Sequence, residues 1–294
     1  MFGFRFARIG FCIALAATAL LPSACADTTP SADTQSQEED LKASGNPKWL
    51  YNGLMPALDS VHITVSLAGH TARVTGLVKV GFTGQLPYYA VTEPEGTRTR
   101  VTVVYPVATG AVATSNGPGA YTSIFGVAYV ATTSTAAWGG FPFLAYNSKR
   151  GLAFHGPITQ ADGDWKLIRG PVSHGCNRMQ GEHVVELAQI IGIDMHVPHK
   201  SSEQFTKSVK VDVIPGYDSW NGHPVDVAYP ALPSVKLPTG PNVKVFATWD
   251  SHQLVRQVCA WVPTLWTTNS LTNAHHCDYV GANTIDPVTG AAVP

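Results

Sequence analysis

Between residues 61 and 158 the apolar and polar positions read as short strands punctuated by turns. Residues 61–82 (VHITVSLAGHTARVTGLVKVGF) are β-branched and broken by glycine, which predicts a hairpin or two. Residues 97–110 (TRTRVTVVYPVATG) alternate Arg98 and Arg100 with Val101 and Val103 and end at a turn. Residues 116–133 (NGPGAYTSIFGVAYVATT) open on a turn signal and continue as a strand. Residues 141–158 (FPFLAYNSKRGLAFHGPI) read as two short strands around a turn at 147–151, with His155 ending the second. A polar loop, residues 162–171, follows. The period then changes. In residues 181–192 (GEHVVELAQIIG), Val184, Leu187, Ala188 and Ile191 recur at helical spacing as a core face, and Gly192 supplies a stop. Residues 192–198 (GIDMHVP) predict a closing strand, and beyond about residue 200 Pro-rich stretches alternate with VKVDVI and VKVFATW, predicting a β-rich extension. The fold class expected is therefore mainly β with one short helix.

The chain's beginning changes how its cysteines are read. Arg5 and Arg8 precede an apolar run, residues 9–21, too short to span a bilayer comfortably. Ala24-Cys25-Ala26 fits a secretory cleavage site, so residues 1–26 are expected to be a signal peptide. The alternative is a lipoprotein leader with Cys25 as the lipidated residue, since LPSAC resembles a lipobox except for Pro22. Residues 27–58 are expected to be a polar, disordered linker. Removal of residues 1–26 leaves 17 basic against 20 acidic side chains, a charge of −3 with no basic stripe, which argues against a nucleic-acid partner. Expected location is outside the cytoplasm, in the periplasm or cell envelope. There Cys259 and Cys277 make a natural disulfide, whose loop closure would contribute roughly 3 kcal/mol. Cys176 is left over.

Cys176 lies in PVSHGCNRM (residues 171–179), and AFHGP upstream carries His155. A thiol near its ordinary pKa of about 8.5 needs a base or a positive neighbour to act as a nucleophile. His155, at a strand end, can reach a following loop that turns back. His174 is two residues from Cys176 and shares its face in an extended segment. Gly156 and Gly175 let backbone N–H groups approach a reacting carbonyl, and Arg178 can fork onto a carboxylate. On residues alone three readings stand: an activated nucleophile, a structural cysteine, or zinc held by two histidines and a thiolate. The third lacks a close ligand pair; His275-His276-Cys277 looks more like a metal fragment, but Cys277 is more simply spent on the disulfide.

The arrangement His155-Gly156, then Ser173-His174-Gly175-Cys176 with Arg178, resembles the signature of the L,D-transpeptidase catalytic domain, the YkuD-type family. VYPVATG, NGPGAYTSIFGVA, GLAFHG and GIDMHVP resemble successive strands of that domain, so the likeness spans roughly residues 60–200. Asn177 departs from the family's apolar residue at that place. The resemblance implies a YkuD-like β-sandwich over residues 59–199, with residues 200–294 as an extension. It implies Cys176 as nucleophile, His155 as base, His174 polarising or positioning the site, and Gly175 and Cys176 N–H groups as the oxyanion hole. Ser173 and Gly156 would support the loop and Arg178 the loop or a substrate carboxylate. The implied substrates are peptidoglycan tetrapeptide stems, with carbapenem-type compounds as inhibitors, and neither metal nor organic cofactor is required. Water as acceptor would make the enzyme an L,D-carboxypeptidase. A degenerate, non-catalytic wall-binding protein and a zinc hydrolase are the readings from other classes. Trp249, Trp261 and Trp266 are expected to pack, and His62, His70, His183, His196 and His199 receive no role.

Overall fold

The computed structural model describes residues 51, 53–110, 119–121, 126–128, 141–147, 149–156, 167–173, 175–197, 202–205, 207–248, 256–261 and 275–280, with backbone alone at 119–121, 126–128, 202–204, 256–261 and 275–280. The expected leader therefore lies outside the described residues, as does most of the linker. Tyr51 and Met55, inside the stretch expected to be disordered, are buried, and Tyr51 N–H donates to Met195 O at 2.7 Å. The linker thus meets the folded body by residue 51.

β1 (Leu58–Ser66) and β2 (Thr71–Val78) form the first hairpin, and β3 (Val91–Glu95) with β4 (Arg98–Pro106) the second. Gly96, at φ 59°, turns the second hairpin in a conformation that suits glycine. One residue past β4 the chain leaves that sheet as β5 (Ala108–Gly110). β6 (Gly119–Tyr121) returns to the first sheet, while β7 (Gly126–Ala128), β8 (Phe143–Asn147) and β9 (Leu152–His155) build the second. β10 (Gly170–Ser173) and β11 (Asn177–Arg178) flank Cys176, and α1 (Gly181–Ile190) follows at once. β12 (Ser202–Gln204) closes the second sheet and β13 (Lys210–Ile214) enters the first. The sheets run β3-β4-β2-β1-β13-β6 and β10-β5-β11-β9-β8-β7-β12. Ile63, Val65, Val74, Val103 and Val211 from one sheet share a core with Leu144, Leu152 and Phe154 from the other and with Val184, Leu187 and Ile191 of α1.

Two elements differ from the sequence reading. Residues 193–197 form no strand: two irregular residues lead into a turn at 195–196 and a bend at 197. The strand that lies in the sheet is β13, parallel to β1 with Ile63 opposite Val211 and Val65 opposite Val213. The expected boundary at residue 199 thus falls before a strand that sits inside the first sheet. A parallel neighbour needs no local turn, so the chain gives no short-range sign of it. Past β13, β14 (Ser219–Trp220), β15 (His223–Val227) and β16 (Lys244–Phe246) form a small sheet. Its Val225, Val227 and Phe246 pack with Val104 of β4, so part of the extension covers a side of β4 that the main core does not use. β17 (Arg256–Trp261) pairs with β18 (His275–Val280) and sets Cys259 opposite Cys277. The side chains of both cysteines, and of Trp249, Trp261 and Trp266, lie outside the described residues.

α1 is buried on every side, although its sequence is amphipathic. Gly192, at φ 99°, stops it: Gly192 N–H reaches Gln189 O and Ile193 N–H reaches Ala188 O, both at 3.0 Å, a Schellman close. Glu186 on this helix is sheltered by phenols. Tyr51 and Tyr89 donate to Glu186 Oε2 at 2.7 and 2.5 Å, and Tyr105 donates to Oε1 at 2.6 Å. Burial pushes the Glu186 carboxyl up to about 7, against the pull of the three phenol donors. Since the folded value lies above the unfolded 4.5, this group's stabilisation is complete below about pH 4.5 and is lost as pH rises through about 7. Comparing wild type with Glu186→Gln by thermal unfolding, the difference is expected to move toward wild type by up to about 3 kcal/mol from about pH 8 to pH 4.5. A difference that does not move with pH would show a carboxylate ionised throughout.

Candidate active site

His155 and Cys176 are 21 residues apart in sequence, and strand pairing closes that gap. β11 runs parallel to β9, with Asn177 opposite Phe154 and Arg178 opposite His155, and Met179 N–H donates to His155 O at 2.8 Å. Cys176 stands immediately before β11. Its side chain is buried, and Sγ lies 3.5 Å from Gly151 O in the turn between β8 and β9. A thiol proton directed at that carbonyl is held by a weak hydrogen bond.

His155 is buried, and its Nδ1 lies 2.7 Å from Gly156 O. A carbonyl only accepts, so Nδ1 carries the proton and Nε2 presents a lone pair. The ring stacks on Phe143, with centroids 5.7 Å apart at 18°. Burial lowers the pKa of His155 to about 3; the Gly156 carbonyl pulls it up and the Arg178 charge lowers it further. The imidazole is therefore neutral through the physiological range. A neutral ring of fixed tautomer, with an acceptor nitrogen in the region of a cysteine, is suited to take a thiol proton.

The remaining expected site residues have more particular surroundings. Gly175 adopts φ 153°, which residues with a Cβ rarely do, and its N–H donates to Ser173 Oγ at 3.2 Å. The first of the two expected oxyanion donors is thus directed at Ser173, leaving Cys176 N–H as the other candidate. Gly156 has a packing reason to lack a Cβ, which would come within 2.6 Å of Phe141. Gly181 meets the far end of the same ring, where a Cβ would fall 2.0 Å from Phe141 Cζ. Phe141 is thus wedged between the end of β9 and the start of α1. Arg178 lies beside His155 in register. His174 is outside the described residues. Among the described residues no group of three or more His, Cys, Asp or Glu side chains could hold a metal ion.

Residues that receive no role from the sequence also build the site. Asn177 is buried in β11 and its Nδ2 donates to the Tyr146 hydroxyl at 2.9 Å. A polar residue next to the cysteine was its only sequence signal. Phe141 and Phe143 read simply as strand residues. Arg169, wholly buried ahead of β10, carried no signal at all.

Residues 88–227 match the family model of the L,D-transpeptidase catalytic domain. No match was found among curated proteins. Among solved structures, the chain is similar to L,D-transpeptidase 3 from Mycobacterium tuberculosis in complex with a faropenem-derived adduct, at 20% identity over 52% of this chain and 60% of that one, TM-score 0.29. An L,D-transpeptidase from M. tuberculosis H37Rv aligns at 19% identity over 53% and 57%, TM-score 0.28. A fused Zn-dependent amidase/peptidase/peptidoglycan-binding domain-containing protein from Clostridium acetobutylicum aligns at 13% identity over 63% of each chain, TM-score 0.30. The chain spans about three fifths of the length of these structures.

Proposed function

On the premise that this chain carries an L,D-transpeptidase catalytic domain at residues 88–227, we propose that it is an exported cysteine acyltransferase acting on peptidoglycan tetrapeptide stems. The observation that carries the reading is the β9–β11 pairing, which sets a neutral His155 of fixed tautomer beside the strand that Cys176 enters. The thiol proton passes to His155 Nε2 as Sγ attacks the carbonyl between the L-centre and the terminal D-residue. Cys176 N–H supports the developing oxyanion. The C–N bond breaks, the amine of the D-residue leaves with the proton from His155, and a thioester remains on Cys176. An acceptor amine then gives a proton to His155 as it attacks the thioester, the C–S bond breaks, and His155 returns the proton to Sγ. Arg178 is assigned to a substrate carboxylate and His174 to positioning. The leader-like composition of residues 1–26 supports the export in this proposal, and export in turn suits a wall substrate and the proposed Cys259–Cys277 disulfide.

The test is intact-protein mass after incubation with a carbapenem, for the mature protein and for Cys176→Ala. One adduct on wild type and none on the variant is the expected result. A folded wild-type protein with a titratable thiol and no adduct would remove the activated-cysteine reading. Tetrapeptide stems offered with and without an amine acceptor then separate cross-linked product from the hydrolysed stem of a carboxypeptidase.

A further inference from the structure

We infer that residues 226–232, at and just beyond the end of the matched domain, form a strap that fixes both flanks of Cys176, with Tyr229 as a positioning residue. The Tyr229 hydroxyl accepts a hydrogen bond from Gln180 Nε2 at 2.8 Å and donates one to Leu167 O at 3.2 Å. One phenol thus links the chain nine residues before Cys176 to the chain four residues after it. Gln180 is the N-cap residue of α1, yet its side chain makes no cap hydrogen bond and turns to Tyr229 instead.

Two more ties join the same strap to the upstream flank. Leu232 N–H donates to Arg169 O at 3.0 Å, and the Leu232 side chain fills the space beside Gly170, where a Cβ would come within 2.8 Å of it. The Arg169 guanidinium donates to Tyr229 O at 2.8 Å and to Asp226 Oδ1 at 2.6 Å. β10 pairs with β5 only at Gly170 and Ser173, and β11 has two residues. The sheet alone therefore grips the cysteine loop at few points. A nucleophile displaced by about 1 Å can lose on the order of a hundredfold in rate, so a strap that closes the loop's base acts on Cys176 through Leu167, Arg169 and Gln180.

The inference rests on the nucleophile reading only for its catalytic consequence, and the test separates the two. Tyr229→Phe keeps the ring and removes both hydroxyl bonds. Amide hydrogen exchange of residues 167–180 is expected to quicken about tenfold or more in this variant while β1 and β2 keep wild-type protection. The carbapenem acylation rate at saturating reagent is expected to fall about tenfold with half-saturation unchanged. Gln180→Leu in the Tyr229→Phe background should add little, because Tyr229→Phe has already removed the bond that Gln180 makes to the hydroxyl. Unchanged exchange in the loop overturns the strap, and so does loosening shared equally by β1 and β2. Equal acylation rates in wild type and Tyr229→Phe overturn its positioning role and leave the nucleophile reading standing. Local loosening without any adduct on wild type overturns the nucleophile reading and leaves the strap standing.

Discussion

Replacing His155 with alanine is expected to slow acylation of Cys176 by about 10²- to 10⁴-fold, the range that a positioned general base supplies. The expectation depends on which nitrogen is available. Nδ1 is committed to Gly156 O at 2.7 Å, so Nε2 alone can receive the thiol proton. Burial, with the Arg178 charge adding to it against the Gly156 carbonyl, holds the pKa near 3, and the base needs no deprotonation at neutral pH. The acylation profile should therefore show no acid limb near 6.5, the ordinary histidine value. Stability carries the opposite sign from Glu186. The folded value of His155 lies below its unfolded value of 6.5, so its contribution is present above 6.5 and lost as pH falls toward 3. Time courses of adduct mass for wild type, His155→Ala and His155→Gln measure the rate. The glutamine variant keeps a donor toward Gly156 while removing the base, so it should remain as slow as alanine. A His155→Ala rate within about threefold of wild type would move the base to another group, with His174 the first to examine.

How far the site was legible follows from the range of each signal. The hairpins β1–β2 and β8–β9 were readable because alternation and turn residues lie within a few positions of one another. Gly192 was readable as a stop because a helix's C-terminal close is local. The motif around Cys176 was readable through its resemblance and only weakly through its chemistry. A histidine and a cysteine 21 residues apart give no sign that β11 will pair with β9 rather than with β10. β13 reads as part of the extension because its neighbour, β1, lies about 150 residues earlier, and no nearby residue records that pairing. Glu186 fell on the polar side of a helical pattern, and polarity alone points such a residue toward water. Its three phenol donors come from residues 51, 89 and 105, all distant in sequence. Arg169 was invisible for the same reason: its partners lie near residues 70 and 228.

Arg169→Met is expected to destabilise the protein by about 3–5 kcal/mol, the usual consequence of breaking a buried charge pair from one side. The side chain is fully buried and all five of its N–H groups find acceptors. Nε reaches His70 O at 3.2 Å, Nη1 reaches Val227 O and Tyr229 O, and Nη2 reaches Gly69 O and Asp226 Oδ1. Methionine fills part of the volume but leaves four carbonyls without this donor, and Asp226 loses its ion-pair partner. By contrast, the Arg100–Glu95 pair has both side chains about two-fifths exposed. Such a pair is worth about 0–1 kcal/mol, so Arg100→Met should barely register. Arg169→Lys discriminates between charge and geometry. An ammonium retains the attraction to Asp226 but has three donors and no planar fork, so it cannot bridge residues 69–70 and 226–229 together. If the fork is what matters, lysine recovers less than half of the loss in urea unfolding. Loss of the fork should also quicken exchange at β15 before β1, because β1 is held between β2 and β13 on its own sheet. A cost below about 1 kcal/mol for Arg169→Met would mean that apolar packing of Val225, Val227 and Phe246 on Val104 holds the extension without the guanidinium.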